Sequence, residues 1–112
     1  MALQIFRGDT FEFDFKSTST DGSTYIFKVG DLLKIGVKEK LSNTRYLLYR
    51  EVQIEEETEE ITVMFAPEET KRISAGDKML EVELTDKDGK VRTLFQGKLT
   101  IKEDLINEWN NK

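Results

Sequence analysis

Apolar and polar residues alternate along most of this chain with a period of two, the spacing that puts every second side chain on one face of a β-strand. In Thr10–Lys16, Phe11, Phe13 and Phe15 point one way, and Thr10, Glu12, Asp14 and Lys16 point the other. Leu33, Ile35 and Val37 repeat the pattern against Lys34, Gly36 and Lys38. Ile61, Val63 and Phe65 form a third apolar series, and Leu80, Val82 and Leu84 alternate with Glu81, Glu83 and Thr85. Tyr46–Ile54 is longer and less regular. It predicts a core face of Tyr46, Leu48, Val52 and Ile54, with Leu47 and Tyr49 opposite.

Turn residues punctuate these runs. Asp21-Gly22 and Asp88-Gly89 can adopt the positive φ values of tight hairpins. A two-residue loop at Asp88-Gly89 pairs Leu84 with Thr93, Val82 with Phe95 and Leu80 with Gly97, so the inward positions of both strands meet. Leu41–Thr44 and Glu55–Glu60 are expected to join two further strand pairs. One helical turn is expected over Pro67–Ile73: Pro67 suits the first helical position, Glu68 and Glu69 the positive end of the dipole, and Lys71 and Arg72 the negative end. Seven to eight short strands with one helical turn predict an all-β fold, an immunoglobulin-like antiparallel β-sandwich over residues 1–102. Residues 103–112 are expected to be a separate C-terminal segment, a short helix or a docking tail. There Leu105, Ile106 and Trp109 share one face of a short helix that needs a partner to be stable, which marks it as a docking tail.

The chain has 112 residues, the size of one domain. It contains no cysteine and no histidine. That excludes disulfides, thiolate metal sites and cysteine nucleophiles, and removes the commonest general base. Seventeen Lys and Arg face twenty-two Asp and Glu, a net charge of −5 with no basic block, so neither nucleic acid nor an anionic membrane is an expected partner. No apolar run is long enough to span a bilayer. The opening MALQIFRGDTF lacks the charged and then apolar regions of a signal peptide, so the expected place of synthesis and assembly is a cytoplasm.

Short motifs resolve to plain readings. Asp86-Lys87-Asp88-Gly89 resembles the start of a calcium loop, but its twelfth position is Gly97, not a bidentate Glu, and a hairpin already explains the Asp-Gly. Arg7-Gly8-Asp9 spells an adhesive tripeptide. It lies just before a strand and reads as a bend. Glu81 and Glu83 fall on an outward face and read as solvated charges, not an acid–base pair. Glu55–Glu60 reads as a solvated loop. No catalytic residue, metal ligand or cofactor site is expected, so the protein is expected not to be an enzyme. Apolar residues opposite the core face, Leu47, Tyr49 and Leu94, are the candidate partner contacts, together with Leu105, Ile106 and Trp109.

The order of these features carries a resemblance. Arg7-Gly8-Asp9-Thr10-Phe11 with Phe13 and Phe15 is followed by Asp21-Gly22, then by Val29-Gly30-Asp31-Leu32-Leu33-Lys34-Ile35-Gly36-Val37-Lys38. Ile61–Phe65 leads into Pro67-Glu68-Glu69-Thr70, Ile73, Gly76 and Glu81-Val82-Glu83-Leu84, and Asp88-Gly89, Thr93 and Gly97-Lys98-Leu99-Thr100-Ile101 close the pattern. It resembles the N-terminal immunoglobulin-like domain of baseplate upper proteins from phages and prophages of Gram-positive bacteria, and related small tail proteins. It departs at Met79-Leu80, where that family often has an aromatic residue. The resemblance implies a non-enzymatic structural or assembly module of a phage tail or baseplate. Its partners would be other tail proteins or further copies of itself, and its location the host cytoplasm and then the virion tail. A carbohydrate- or cell-surface-binding β-sandwich module, using exposed Tyr49 and Trp109, is the alternative.

Overall fold

The computed structural model describes residues 3–40 and 42–103. Within these residues, seven strands and one helical turn follow in the order β1 (Leu3–Phe6), β2 (Phe11–Phe15), β3 (Leu32–Lys38), β4 (Leu48–Gln53), β5 (Ile61–Phe65), α1 (Pro67–Thr70), β6 (Gly76–Thr85) and β7 (Val91–Lys102). They form a five-stranded sheet in the order β1-β7-β6-β3-β4 and a two-stranded sheet, β2-β5. The fold is therefore all-β. The inward positions expected from alternation make one core that both sheets share. Leu33, Ile35 and Val37 of β3 and Leu80, Val82 and Leu84 of β6 are buried from the larger sheet, and Phe11, Ile61, Val63 and Phe65 from the smaller. Phe27, fully buried, closes the core from the β2–β3 connection, and Ile73 plugs it just after α1.

The β6–β7 hairpin shows how loop and pattern were reconciled. The loop holds three residues, not two: Asp86 and Lys90 close it, and Gly89 takes φ +83°. The Asp86 carboxylate accepts the N–H groups of Asp88 and Lys90 at 2.9 and 3.0 Å, so it serves the turn. The longer loop shifts the register by one, and Leu84 faces Arg92 instead of Thr93. A β-bulge between Val82 and Glu83, with Leu94 as the extra residue, undoes the shift. Beyond it Val82 pairs with Phe95 and Leu80 with Gly97, as the hydrophobic pattern requires.

Three other expectations change. First, β1 and β7 pair in parallel, Leu3 with Leu99 through Phe6 with Lys102, so the fold is not wholly antiparallel. Parallel neighbours need a long connection, and here all the intervening chain supplies it. The Arg7-Gly8-Asp9 segment is the bend expected, carrying the chain from β1 in one sheet to β2 in the other, with Gly8 at φ +90°. Second, of Leu41–Thr44, residues 42–44 fall in the β3–β4 connection as expected and Leu41 lies outside the described residues, but Glu55–Glu60 does not join a pair. It crosses from β4 to β5 in the opposite sheet, and Thr58 within it bridges Phe27. Third, the helical turn is shorter than Pro67–Ile73. Thr70 ends it, buried, with its hydroxyl donating to the Asp9 carbonyl at 2.7 Å.

Candidate functional site

The outward residues of β3, β4 and β6 are mostly polar or charged, and one corner is aromatic. Tyr49 sits opposite Gly36 across the β3–β4 ladder. Tyr46 was expected on the core face. Instead it precedes the first paired residue of β4, where the chain is free to turn, and its ring lies on the outer face over Gly36. A Cβ at Gly36 would overlap that ring. The two tyrosine rings are 4.8 Å apart, and the Lys38 ammonium lies 4.7 Å from the Tyr46 ring centre. Tyr46 is 46% exposed, with Leu47 and Tyr49 at 36% and 37%. The Tyr49 hydroxyl donates to Glu51 at 2.6 Å, and partial burial together with that carboxylate pushes its pKa up to about 12. A ring so placed offers an apolar face and a neutral, donating hydroxyl at any ordinary pH.

Leu94 does not join this corner. As the bulge residue of β7 it is half-buried against the core, and two strands, β6 and β3, separate it from β4. Beside it a surface depression is lined by Ser17–Thr20, Tyr25, Arg92 and Thr93. The bulge that restores the register also turns Leu94 inward, which strict alternation cannot foresee. Leu105, Ile106 and Trp109, the remaining candidate contacts, lie outside the described residues.

Three features escaped the sequence reading. Lys78 is 2% exposed, and its ammonium donates to Glu39 at 2.8 Å and to Ser74 at 3.1 Å. Its parity with Leu80, Val82 and Leu84 could have revealed that it points inward. Asp31 is also buried; it accepts the Tyr25 hydroxyl at 2.8 Å and the Lys28 N–H at 3.0 Å. Burial, and then that carboxylate, raise the Tyr25 pKa, so the phenol stays a donor.

The third feature is an asymmetry between the two sides of the molecule. On the β4–β5 side, Arg50 reaches from the larger sheet to the smaller. Its guanidinium donates to the Met64 carbonyl at 2.9 Å and to Glu69 at 2.7 Å, and lies 4.7 Å from the Phe65 ring centre. Glu69 also accepts the Ala66 N–H at 2.9 Å, and chiefly this bond, with help from Arg50, holds its carboxyl below the usual range. On the opposite side no described residue covers β2 in this way. A groove of about 220 Å³ opens between β2 and the larger sheet, lined by Leu3, Phe13, Phe15, Leu80, Val82 and Phe95, with Asp14 and Lys16 at its rim.

No protein-family model matches the sequence, and a search of curated proteins returned no match.

Proposed function

We propose that this protein is a non-enzymatic structural or assembly module of a phage or prophage tail or baseplate, built as an immunoglobulin-like sandwich. The observation that carries the reading is where the resembling residues fall. Gly8, Gly22, Gly30, Gly76 and Gly89, all part of the matched pattern, have positive φ. Phe11, Leu33, Ile35, Val63, Val82 and Ile101, also matched, are buried. The resembling residues thus include turn glycines as well as alternating core positions of this fold, which supports the reading. The module would act by offering sheet edges and apolar corners to neighbouring tail subunits, first in the host cytoplasm and then in the virion. Mass spectrometry of gradient-purified particles induced from the encoding strain tests this. The protein should co-purify with tape-measure and tail-fibre proteins, and its gene should lie among theirs. Absence from intact particles, with a gene placed in a metabolic operon, would overturn the proposal.

The Tyr46–Tyr49 pair favours a second reading, carbohydrate binding. Two adjacent exposed rings flanked by Glu51, Glu81, Glu83 and Lys34 could stack on a sugar and hydrogen-bond its hydroxyls. A specific glycan on an array, lost in Tyr46→Ala, would promote this reading over the first.

A further inference from the structure

We infer that the free edge of β2 is a strand-addition site. Its occupant is an extended peptide of a partner protein, with apolar side chains facing inward and basic side chains facing outward. The inference goes beyond the assembly reading and holds whether or not the assembly is a phage tail.

Two strands cover five, and β2 is paired only with β5, in an unbroken register from Phe11–Phe65 to Phe15–Ile61. Among the described residues the other edge of β2 has no strand partner. An open edge exposes a row of N–H and C=O groups that another chain can pair with, and proteins commonly block it with proline, a bulge or a covering side chain. β2 has no proline and no bulge, whereas Arg50 bridges the two sheets on the opposite side of the molecule.

Side-chain chemistry selects the occupant. An added strand places alternate residues on the two faces of the sheet. Its inward residues would enter the groove between Phe13 and Phe15 on one side and Leu80, Val82 and Phe95 on the other, a mostly apolar lining that favours apolar side chains. Its outward residues would stand beside Glu12 and Asp14, both exposed. Lys16, just past the end of the strand, lies 3.9 Å from Glu60, and Glu12 and Asp14 outnumber it, so the strip beside a newcomer is net acidic. Opposite charges on neighbouring strands stabilise and like charges destabilise. The same charges disfavour a second copy, since a two-fold pairing of β2 about Phe13 would set Glu12 against Asp14 twice.

The test uses the full chain and three labelled heptapeptides. One alternates Lys and Val, one alternates Glu and Val, and the third is the Lys/Val peptide N-methylated at alternate residues. Fluorescence anisotropy reads binding, and amide hydrogen exchange reads the β2 backbone. The Lys/Val peptide should bind, the N-methylated one should not, and outward-facing β2 amides should slow their exchange. The double variant Glu12→Lys, Asp14→Lys changes only exposed side chains. It should reverse the preference between Lys and Glu peptides by about tenfold or more. No binding by any peptide, or binding indifferent to N-methylation, overturns the inference. So does protection of these amides in the free chain: if it persists on dilution, residues 104–112 of the same chain hold the edge, and if it falls, a second copy does.

Discussion

Replacing Lys78 with methionine should leave the protein as stable as before, or more so, while neutralising its partner Glu39 should weaken it. Lys78 occupies an inward position in line with Leu80, and its side chain is 2% exposed, whereas that of Glu39 is 49% exposed. The ammonium therefore bears the loss of hydration, a penalty of several kcal/mol for a buried ion. Glu39, half in water, returns a screened attraction, and Ser74 adds one hydrogen bond. Glu39→Gln leaves the buried charge without its counter-ion and should cost about 1–3 kcal/mol, below the usual cost of breaking a fully buried pair because water reaches the site. Lys78→Met removes the charge, keeps a similar unbranched volume, and should change stability by anything from zero to a gain of about 2 kcal/mol. In the Lys78→Met background, Glu39→Gln should cost almost nothing. Urea unfolding of the four proteins gives the complete cycle. A loss above ~1 kcal/mol in Lys78→Met, or an undiminished cost of Glu39→Gln in that background, would refute the reasoning.

Gly36→Ala should push the Tyr46 ring off the sheet, since the new methyl takes its place, shifting the ring resonances of Tyr46 and Tyr49; unchanged resonances would show that the two do not touch. Arg50→Ala should cost about 1–2 kcal/mol at neutral pH through lost charge-assisted hydrogen bonds at a half-exposed site, measured by urea unfolding. The folded-state pKa of Glu69 is depressed, so its contribution is full above the ordinary carboxylate range and is lost as pH falls through the lowered value. The gap between Arg50→Ala and wild type should therefore narrow in acid, and a gap independent of pH would count against the Arg50–Glu69 pair. Tyr49 has a pKa raised from 10.0 to about 12, so the stability it lends is present below pH 10 and disappears as pH rises toward the folded value. Phenolate absorbance should lose a late-ionising step in Tyr49→Phe; loss of an early step would contradict the Glu51 hydrogen bond.

Much of the fold was legible because alternation is a local property. The inward faces of β3, β5 and β6 follow directly from sequence, and so does the turn chemistry at Asp21-Gly22 and Asp88-Gly89. The β6–β7 register was recoverable over most of its length because the hydrophobic match is strong enough to impose a bulge on a loop of the wrong length. What alternation cannot carry is pairing between distant segments. Nothing in Leu3–Phe6 announces a parallel partner nearly a hundred residues on. Alternation points Tyr46 at the core, but it holds only inside a paired strand, and Tyr46 lies before the start of β4. Of the candidate contacts, Leu47 and Tyr49 are exposed where expected, and Leu94 is drawn inward by the bulge. The β2 edge, unpaired among the described residues, left no mark in the sequence, since pairing is a property of sheet assembly and not of any one strand.

The parallel pairing of β1 and β7 bears on how the protein would respond to tension. Pulling on β1 from its Leu3 end and on β7 from its Lys102 end drags two neighbouring strands lengthwise past each other. The hydrogen bonds between them then lie across the pull and share the load, so rupture requires many to fail together. A pull that parted the ends of the β6–β7 hairpin would instead open its ladder one rung at a time, from Gly76–Ile101 toward the loop. Forced unfolding is set by the rate of escape over the barrier, so one protein of a single thermodynamic stability should be strong along its chain direction and weak across that hairpin.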